Sequence, residues 1–204
     1  FFERAEIKDM LAYLWVINNR ADDLRLRRII NVPIRGIGNT TMEKVQFLAA
    51  RDGKSLFDVV STADEYPELK SAATKLRNFA LMITNMQQME NNLELPDFYD
   101  AVCEMSGYIR ALQEKGDMES RGRIENVQEL RSSIIGFLDS DPENRSLAGF
   151  LDTVALYTDL DSAESDDNTV SLMTMHSAKG LEFPNVYVVG VEEGMFPGGR
   201  AAGD

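Results

Sequence analysis

Apolar residues recur every three or four positions along most of this chain, which is the spacing of amphipathic helices. The first such stretch runs from Ala5 to Val16 and carries Glu6, Lys8 and Asp9 between its apolar positions. We expect these three side chains on the solvent face of the helix. A short second helix is predicted to stop before Val32-Pro33, because the residue that precedes a proline is displaced from helical conformation.

The middle of the chain is almost wholly helical by the same criterion. A helix follows Gly38, with Thr40 or Thr41 as its predicted N-cap. Glycine and proline residues then separate the further helical segments, which cover residues 55–61, 67–90, 96–106, 108–115, 120–138 and 146–156. The sequence therefore predicts a multi-helix domain over roughly residues 21–160.

The pattern changes near residue 158. Residues 158–168 are acidic and poor in aliphatic side chains, so we interpret this tract, and residues 161–167 in particular, as a flexible linker. Two short apolar stretches follow, at residues 170–175 and 186–191, and both are typical of buried strands.

The predicted fold class is mainly α, with a helical domain flanked by two pieces of different character. Residues 1–20 supply a leading helix and residues 168–204 a trailing strand pair. The chain begins inside an apparent helix and stops in a glycine-rich stretch. We therefore expect it to be a fragment of a longer protein.

The net charge of −13 argues at first against nucleic acid as a partner, because phosphate binding depends on lysine and arginine side chains. The charge is uneven, however. Residues 20–35 contain five arginines against two aspartates, whereas residues 139–167 contain one arginine against nine acidic residues. This segregation is what a protein with one DNA-facing surface requires.

Cys103 is the single cysteine and cannot form an internal disulfide. It lies on a helical pattern of apolar residues, so a buried, unreactive thiol is predicted. A reducing, cytoplasmic location is the corresponding expectation. No apolar run approaches the ~18 residues of a membrane helix, and no membrane partner is expected.

Gly36 and Gly38 precede a predicted helix N-terminus. Glycines permit close approach of the backbone, and the first amides of a helix are unpaired, so this turn suits a phosphate oxygen. A tight interhelical turn that needs glycine for its own conformation explains the same residues. The spacing alone does not decide between the two interpretations.

A polar turn lies between the two predicted strands. His176, Ser177, Lys179 and Glu182 follow the carboxyl end of the first strand, where open α/β sheets gather their ligands. An ordinary strand connection with solvated side chains is the alternative. His176 is the only histidine, and no second histidine or cysteine lies at ligand spacing, so no metal site is predicted.

This turn resembles motif V, T-x-H-x-x-K-G-L-E-F, of the superfamily 1 DNA helicases of the UvrD/PcrA/Rep group. The match has no gap and comprises Thr174, His176, Lys179, Gly180, Leu181, Glu182 and Phe183. Further segments resemble the family in its order, at residues 1–14, 29–41 and 123–130. The resemblance spans nearly the whole chain.

The resemblance implies a fold and an activity. Residues 21–160 would be the helical subdomain called 2B, inserted into the second RecA-like domain, 2A, of which residues 1–20 and 168–204 would be parts. The parent would be an ATP-dependent 3′ to 5′ DNA helicase of repair or replication, with ATP and Mg²⁺ as cofactors. DNA, duplex and single-stranded, would be its sequence-independent partner, and repair proteins further partners.

The resemblance also implies roles for individual residues. It assigns to the phosphates of duplex DNA the residues Arg35, Gly36, Ile37, Gly38 and Thr41. It assigns to single-stranded DNA the residues Thr174, His176 and Arg4, and to the bound nucleotide Glu182 and Lys179.

Some expectations concern what the chain alone does. It contains no G-x-x-x-x-G-K-[ST] phosphate loop, so we assign no catalytic residue and expect no ATP hydrolysis by this chain alone. Arg123, Glu125 and Asn126 match another family motif, and structural hydrogen bonds are expected of them. A stand-alone helical module that recruits a protein partner is the alternative function.

Overall fold

The computed structural model describes residues 1–140 and 142–162 and, beyond them, residues 173, 178, 182, 183 and 185–189. Residues 1–162 form one compact unit, and residues 163–204 form a second. All regular structure in the described residues is helical, which confirms the mainly α prediction. The helices are α1 (Ala5–Asn18), α2 (Asp23–Ile29), α3 (Asn39–Asp52), α4 (Leu56–Ser61), α5 (Ala73–Glu90), α6 (Leu95–Ser106), α7 (Tyr108–Lys115), α8 (Met118–Ser140) and α9 (Leu147–Ser162).

Helix α1 lies at the centre of the first unit and packs against α2, α5, α8 and α9. Glu6 is only 6% exposed, so the prediction that it lies on a solvent face is wrong. A helix surrounded by four others has almost no wet side, and its carboxylates must therefore find partners inside the protein. Glu6 Oε1 accepts a hydrogen bond from Asn126 Nδ2 at 2.6 Å, and Asp9 pairs with Arg28 at 2.7 Å.

Local capping sets most of the helix ends. Ser55 caps α4 in a reciprocal capping box with Asp58, and α6 and α7 both end at glycines in the left-handed conformation. Two predicted boundaries are wrong. Residues 67–90 are a 3-10 turn at Pro67–Leu69 followed by α5, and α3 is capped by Gly38, whose carbonyl already accepts the N–H of Met42 at 3.1 Å.

The C-terminal predictions have a mixed outcome. Helix α9 continues to Ser162, so the acidic tract interpreted as a flexible linker begins as helix. Residues 186–189, within the second predicted strand, have no regular structure and are exposed. A strand needs neighbours to satisfy its backbone and to cover its apolar face, and the described residues include no strand with which these could pair.

The remaining global expectations concern the thiol and the membrane. Cys103 is free and buried, and burial raises its pKa to about 12, so the thiol is protonated at neutral pH, as predicted. No helix in the described part of the chain is long and apolar enough to cross a membrane.

Candidate functional site

The turn between α2 and α3 is built from a short loop whose conformation depends on one glycine. Gly36 has φ of +70°, a value that residues with a Cβ rarely adopt. Gly38 has φ of −87° and ψ of 175°, which any residue adopts, and no atom of a described residue lies within 4 Å of the position its Cβ would occupy. The structural interpretation of the glycine pair therefore explains Gly36, whereas no contact among the described residues requires a glycine at position 38.

Asn31 and Ile37 fix the inner side of this turn. The Asn31 side chain accepts two backbone N–H groups through Oδ1, from Arg35 at 2.8 Å and from Ile37 at 3.1 Å. The Ile37 side chain is 1% exposed and belongs to the apolar core. Ile37 therefore anchors the turn, and neither its side chain nor its N–H group is free for a ligand.

Arg35 also faces inward, which differs from the predicted contact with duplex DNA. Its Nη2 donates to the Tyr13 hydroxyl at 2.6 Å and to the Ser106 carbonyl at 2.9 Å. Its Nη1 donates to the carbonyls of Ile29 at 3.0 Å and Pro33 at 3.2 Å. The guanidinium carbon lies 5.5 Å from the centre of the Phe79 ring. Both terminal nitrogens thus have acceptors within the protein, so Arg35 holds the turn from inside, and its contact with duplex DNA stays a prediction.

Tyr13 is the partner of Arg35 on α1. Its hydroxyl donates to the Val32 carbonyl at 2.5 Å while it accepts from Arg35. Burial raises the pKa of Tyr13 to about 12, although the charge of Arg35 acts in the opposite direction. The hydroxyl therefore remains a hydrogen-bond donor at neutral pH. The apolar pattern of α1 gave no signal for this role, and sequence reasoning missed it.

The outer side of the turn is open. Asn39, Thr40 and Thr41 are the first residues of α3, and no acceptor in the described part of the chain pairs with their N–H groups. The first turn of α3 contains no acidic side chain, so the positive end of the helix dipole is not neutralised there. This surface can donate several hydrogen bonds to an anion that approaches past Gly38.

Lys75 on α5 is the cation that contacts the turn. Its Nζ donates to the Gly36 carbonyl at 3.3 Å and forms no salt bridge with a described residue. A Cβ on Gly36 would lie 2.7 Å from this nitrogen, so the glycine also makes room for the ammonium group. Lys75 is distant in sequence from the glycine pair, and no local pattern could have identified it.

Four of the five arginines at residues 20–35 have partners within the protein, while Arg27 is exposed, so a DNA-facing surface in this segment stays a prediction. Arg20 donates to Gln87 and lies over Phe57, Arg25 pairs with Asp22, and Arg28 pairs with Asp9. These arginines, like Arg35, are occupied within the protein. Counting charges along a sequence does not reveal which of them already have partners.

Arg4 and Asn126 connect the start of α1 to α8. Arg4 Nη1 donates to Asn126 Oδ1, and the same amide donates to Glu6. The structural role predicted for Asn126 is confirmed. Arg4 is exposed, and its contact with single-stranded DNA stays a prediction.

Most of the residues predicted to contact the nucleotide or single-stranded DNA lie outside the part of the chain that the structure describes. Thr174, His176 and Lys179 lie outside the described residues, and Glu182 is described only as exposed, without regular structure. Among the residues that the structure describes, no three metal-ligating side chains converge on one point.

The amino-acid sequence is similar to those of DNA helicases. Residues 1–202 match the family described as UvrD-like helicase C-terminal domain. The chain is 43% identical over 202 residues to the ATP-dependent DNA helicase PcrA of Staphylococcus aureus, and equally to that of Staphylococcus epidermidis. These alignments cover 98% of this chain but 28% of each relative. The chain therefore spans little more than a quarter of the length of these relatives.

Proposed function

The chain belongs to the family of UvrD-like helicase C-terminal domains, and from this premise we propose that it is part of an ATP-dependent 3′ to 5′ DNA helicase. Residues 21–160 are the 2B subdomain in this proposal, and residues 1–20 and 168–204 are parts of the RecA-like domain 2A. The parent binds ATP with Mg²⁺ and acts in DNA repair or replication. The observation that carries the proposal is the open turn before α3, which suits a phosphate backbone.

The duplex contact is made by the outer side of this turn. Phosphate oxygens accept hydrogen bonds from the N–H groups at the start of α3 and from the Thr41 hydroxyl. Gly38 lets the DNA backbone approach closely because it has no side chain. Contacts to phosphate carry no base information, which suits a motor that must move along any sequence.

Arg35, Gly36 and Ile37 serve the same contact indirectly. Arg35 and Ile37 fix the inner side of the turn, and Gly36 supplies the left-handed conformation that presents α3. These three residues thus remain assigned to the duplex site, where they maintain the conformation of the turn.

Lys75 adds a charge to this surface, and its contribution is testable. Replacing Lys75 with glutamine should reduce the slope of log affinity against log salt by about 0.9 for duplex DNA, because one phosphate contact is lost. The measurement is titration of labelled duplex by fluorescence anisotropy at several salt concentrations. Lys115→Gln, which removes an exposed charge at the end of α7, is the matched control and should leave the slope unchanged. Equal slopes for all three proteins would remove Lys75 from the site.

The single-strand and nucleotide contacts belong to the parent helicase. Thr174 and His176 donate to the phosphates of single-stranded DNA in this proposal, and Arg4 adds a charge from the start of α1. Glu182 accepts a hydrogen bond from the ribose, and Lys179 lies near the nucleotide phosphates. The family resemblance of these residues supports the assignments.

This chain alone is proposed to be inactive as an ATPase. It lacks a phosphate loop, and isolated contacts to the ribose cannot position the triphosphate and Mg²⁺ for transfer. Purified chain should therefore release no phosphate from ATP above the blank. Saturable ATP turnover that disappears when Glu182 is mutated could not come from a contaminating ATPase, and it would contradict the proposed inactivity of this chain.

A further inference from the structure

The inward network of Arg35 joins three separate parts of the fold. Its acceptors are a hydroxyl on α1, the last carbonyl of α6, the last carbonyl of α2 and the Pro33 carbonyl of the loop itself. The partners on α1 and α6, Tyr13 and Ser106, lie 22 and 71 residues away in sequence. The turn is therefore tied to helices that are far from it along the chain.

These ties act on the orientation of the turn. Arg35 precedes Gly36 directly, and its own N–H group is held by Asn31. A guanidinium group donates in a rigid planar fork, so fixing both of its terminal nitrogens fixes the direction of the side chain. The direction in turn determines where the following residues, and with them the start of α3, are presented.

We propose that Arg35 is a positioning residue for duplex binding, which acts through the turn and depends on the Tyr13 hydroxyl and the Ser106 carbonyl. This inference rests on the proposed function of the turn as the duplex contact. It assigns no phosphate contact to Arg35. If the guanidinium turned outward, the oxygens of the buried Tyr13 hydroxyl and the Ser106 carbonyl would each lose the hydrogen bond that they accept from Arg35. Such a loss lowers the stability of the fold.

The partners of Arg35 are also neutral. No carboxylate of a described residue forms a salt bridge with it, so its positive charge persists beneath the turn. A variant that keeps this charge but removes one partner therefore separates positioning from electrostatic attraction. Tyr13→Phe is such a variant, because it removes the hydroxyl and leaves Arg35 in place.

The test compares Tyr13→Phe with Tyr99→Phe in the 204-residue chain. Tyr99 is a matched control, since its buried hydroxyl also donates to a backbone carbonyl, that of Val127 at 2.8 Å, and does not contact the turn. Duplex affinity is measured by fluorescence anisotropy over a range of salt, and thermal unfolding by circular dichroism. Tyr13→Phe should weaken duplex binding about fivefold and leave the salt slope unchanged. Arg35→Lys keeps the charge and part of the hydrogen bonding. Its duplex affinity should therefore lie between that of the wild type and that of a variant without the Arg35 side chain.

The outcomes separate this inference from the function on which it rests. Wild-type affinity in Tyr13→Phe, or equal losses in both tyrosine variants, would overturn the positioning role. A changed salt slope in Tyr13→Phe would also overturn it, because it would indicate lost charge contacts. If Gly38→Val binds duplex normally in the same assay, the proposed duplex contact itself fails. If Gly38→Val loses binding and Tyr13→Phe does not, only the positioning role fails.

Discussion

Replacement of Arg35 with methionine is expected to lower the free energy of unfolding by about 3 kcal/mol. Methionine keeps much of the apolar stem but offers no donor to Tyr13, Ser106 or Pro33. Each buried acceptor left without a partner costs roughly 1–3 kcal/mol, and water reaching the loop carbonyls offsets part of the sum. Urea denaturation followed by circular dichroism measures the change.

Arg77→Met is the control for this prediction. Arg77 pairs with Asp64, and both side chains are more than half exposed at 56% and 54%. Exposed ion pairs contribute about 0–1 kcal/mol, so this variant should unfold almost like the wild type. A similar small loss in the two variants would show that the Arg35 network does not hold the turn.

The valine variant of Gly38 in the parent helicase should lose unwinding by about tenfold or more while its single-strand-stimulated ATPase stays within about twofold of wild type. Loss of charge-assisted hydrogen bonds to a phosphate, worth roughly 1.5–3 kcal/mol, corresponds to this factor. The backbone of Gly38 suits any residue, and its Cβ would meet no atom of the described residues. The added side chain is therefore expected to occupy space that the proposed duplex contact needs.

Two further variants define what the Gly38 result means. Gly122→Val on α8 also adds a side chain where no atom of a described residue lies within 4 Å, and this variant should unwind normally. Gly36→Val should instead reduce stability, because φ of +70° and the nearby Lys75 ammonium oppose a side chain there. A folded Gly38→Val enzyme that unwinds normally would make the turn merely structural. Parallel loss of ATPase and unwinding would place Gly38 outside the duplex contact.

The sequence predicted the helices well because their signals are local. The apolar spacing of α5 and α8, the serine before α4 and the glycines after α6 and α7 all act within a few residues. The central position of α1 could not be read in this way. The sequence pattern predicted solvated carboxylates on α1, whereas their partners lie on α2, α7 and α8, which are distant in sequence.

The candidate site shows the same division. The glycine pair and the following helix N-terminus marked the turn, and the family resemblance supplied its proposed function. The residues that set its geometry lie elsewhere, at Asn31, Tyr13 and Lys75. The inward direction of the Arg35 side chain could not be predicted, because a sequence shows the charge of a side chain and not the direction in which tertiary contacts turn it.

The most direct test of the central claim is a titration of the isotope-labelled chain with a short duplex, followed through its backbone amide resonances. The N–H groups of Asn39, Thr40 and Thr41 are without acceptors in the described part of the chain, so they report directly on a phosphate that binds at the start of α3. The account predicts that their resonances, with that of Gly38, shift most and that the shifts diminish as salt is raised. Shifts centred on another surface, or none at these residues at saturating duplex, would contradict the assignment of this turn to duplex DNA.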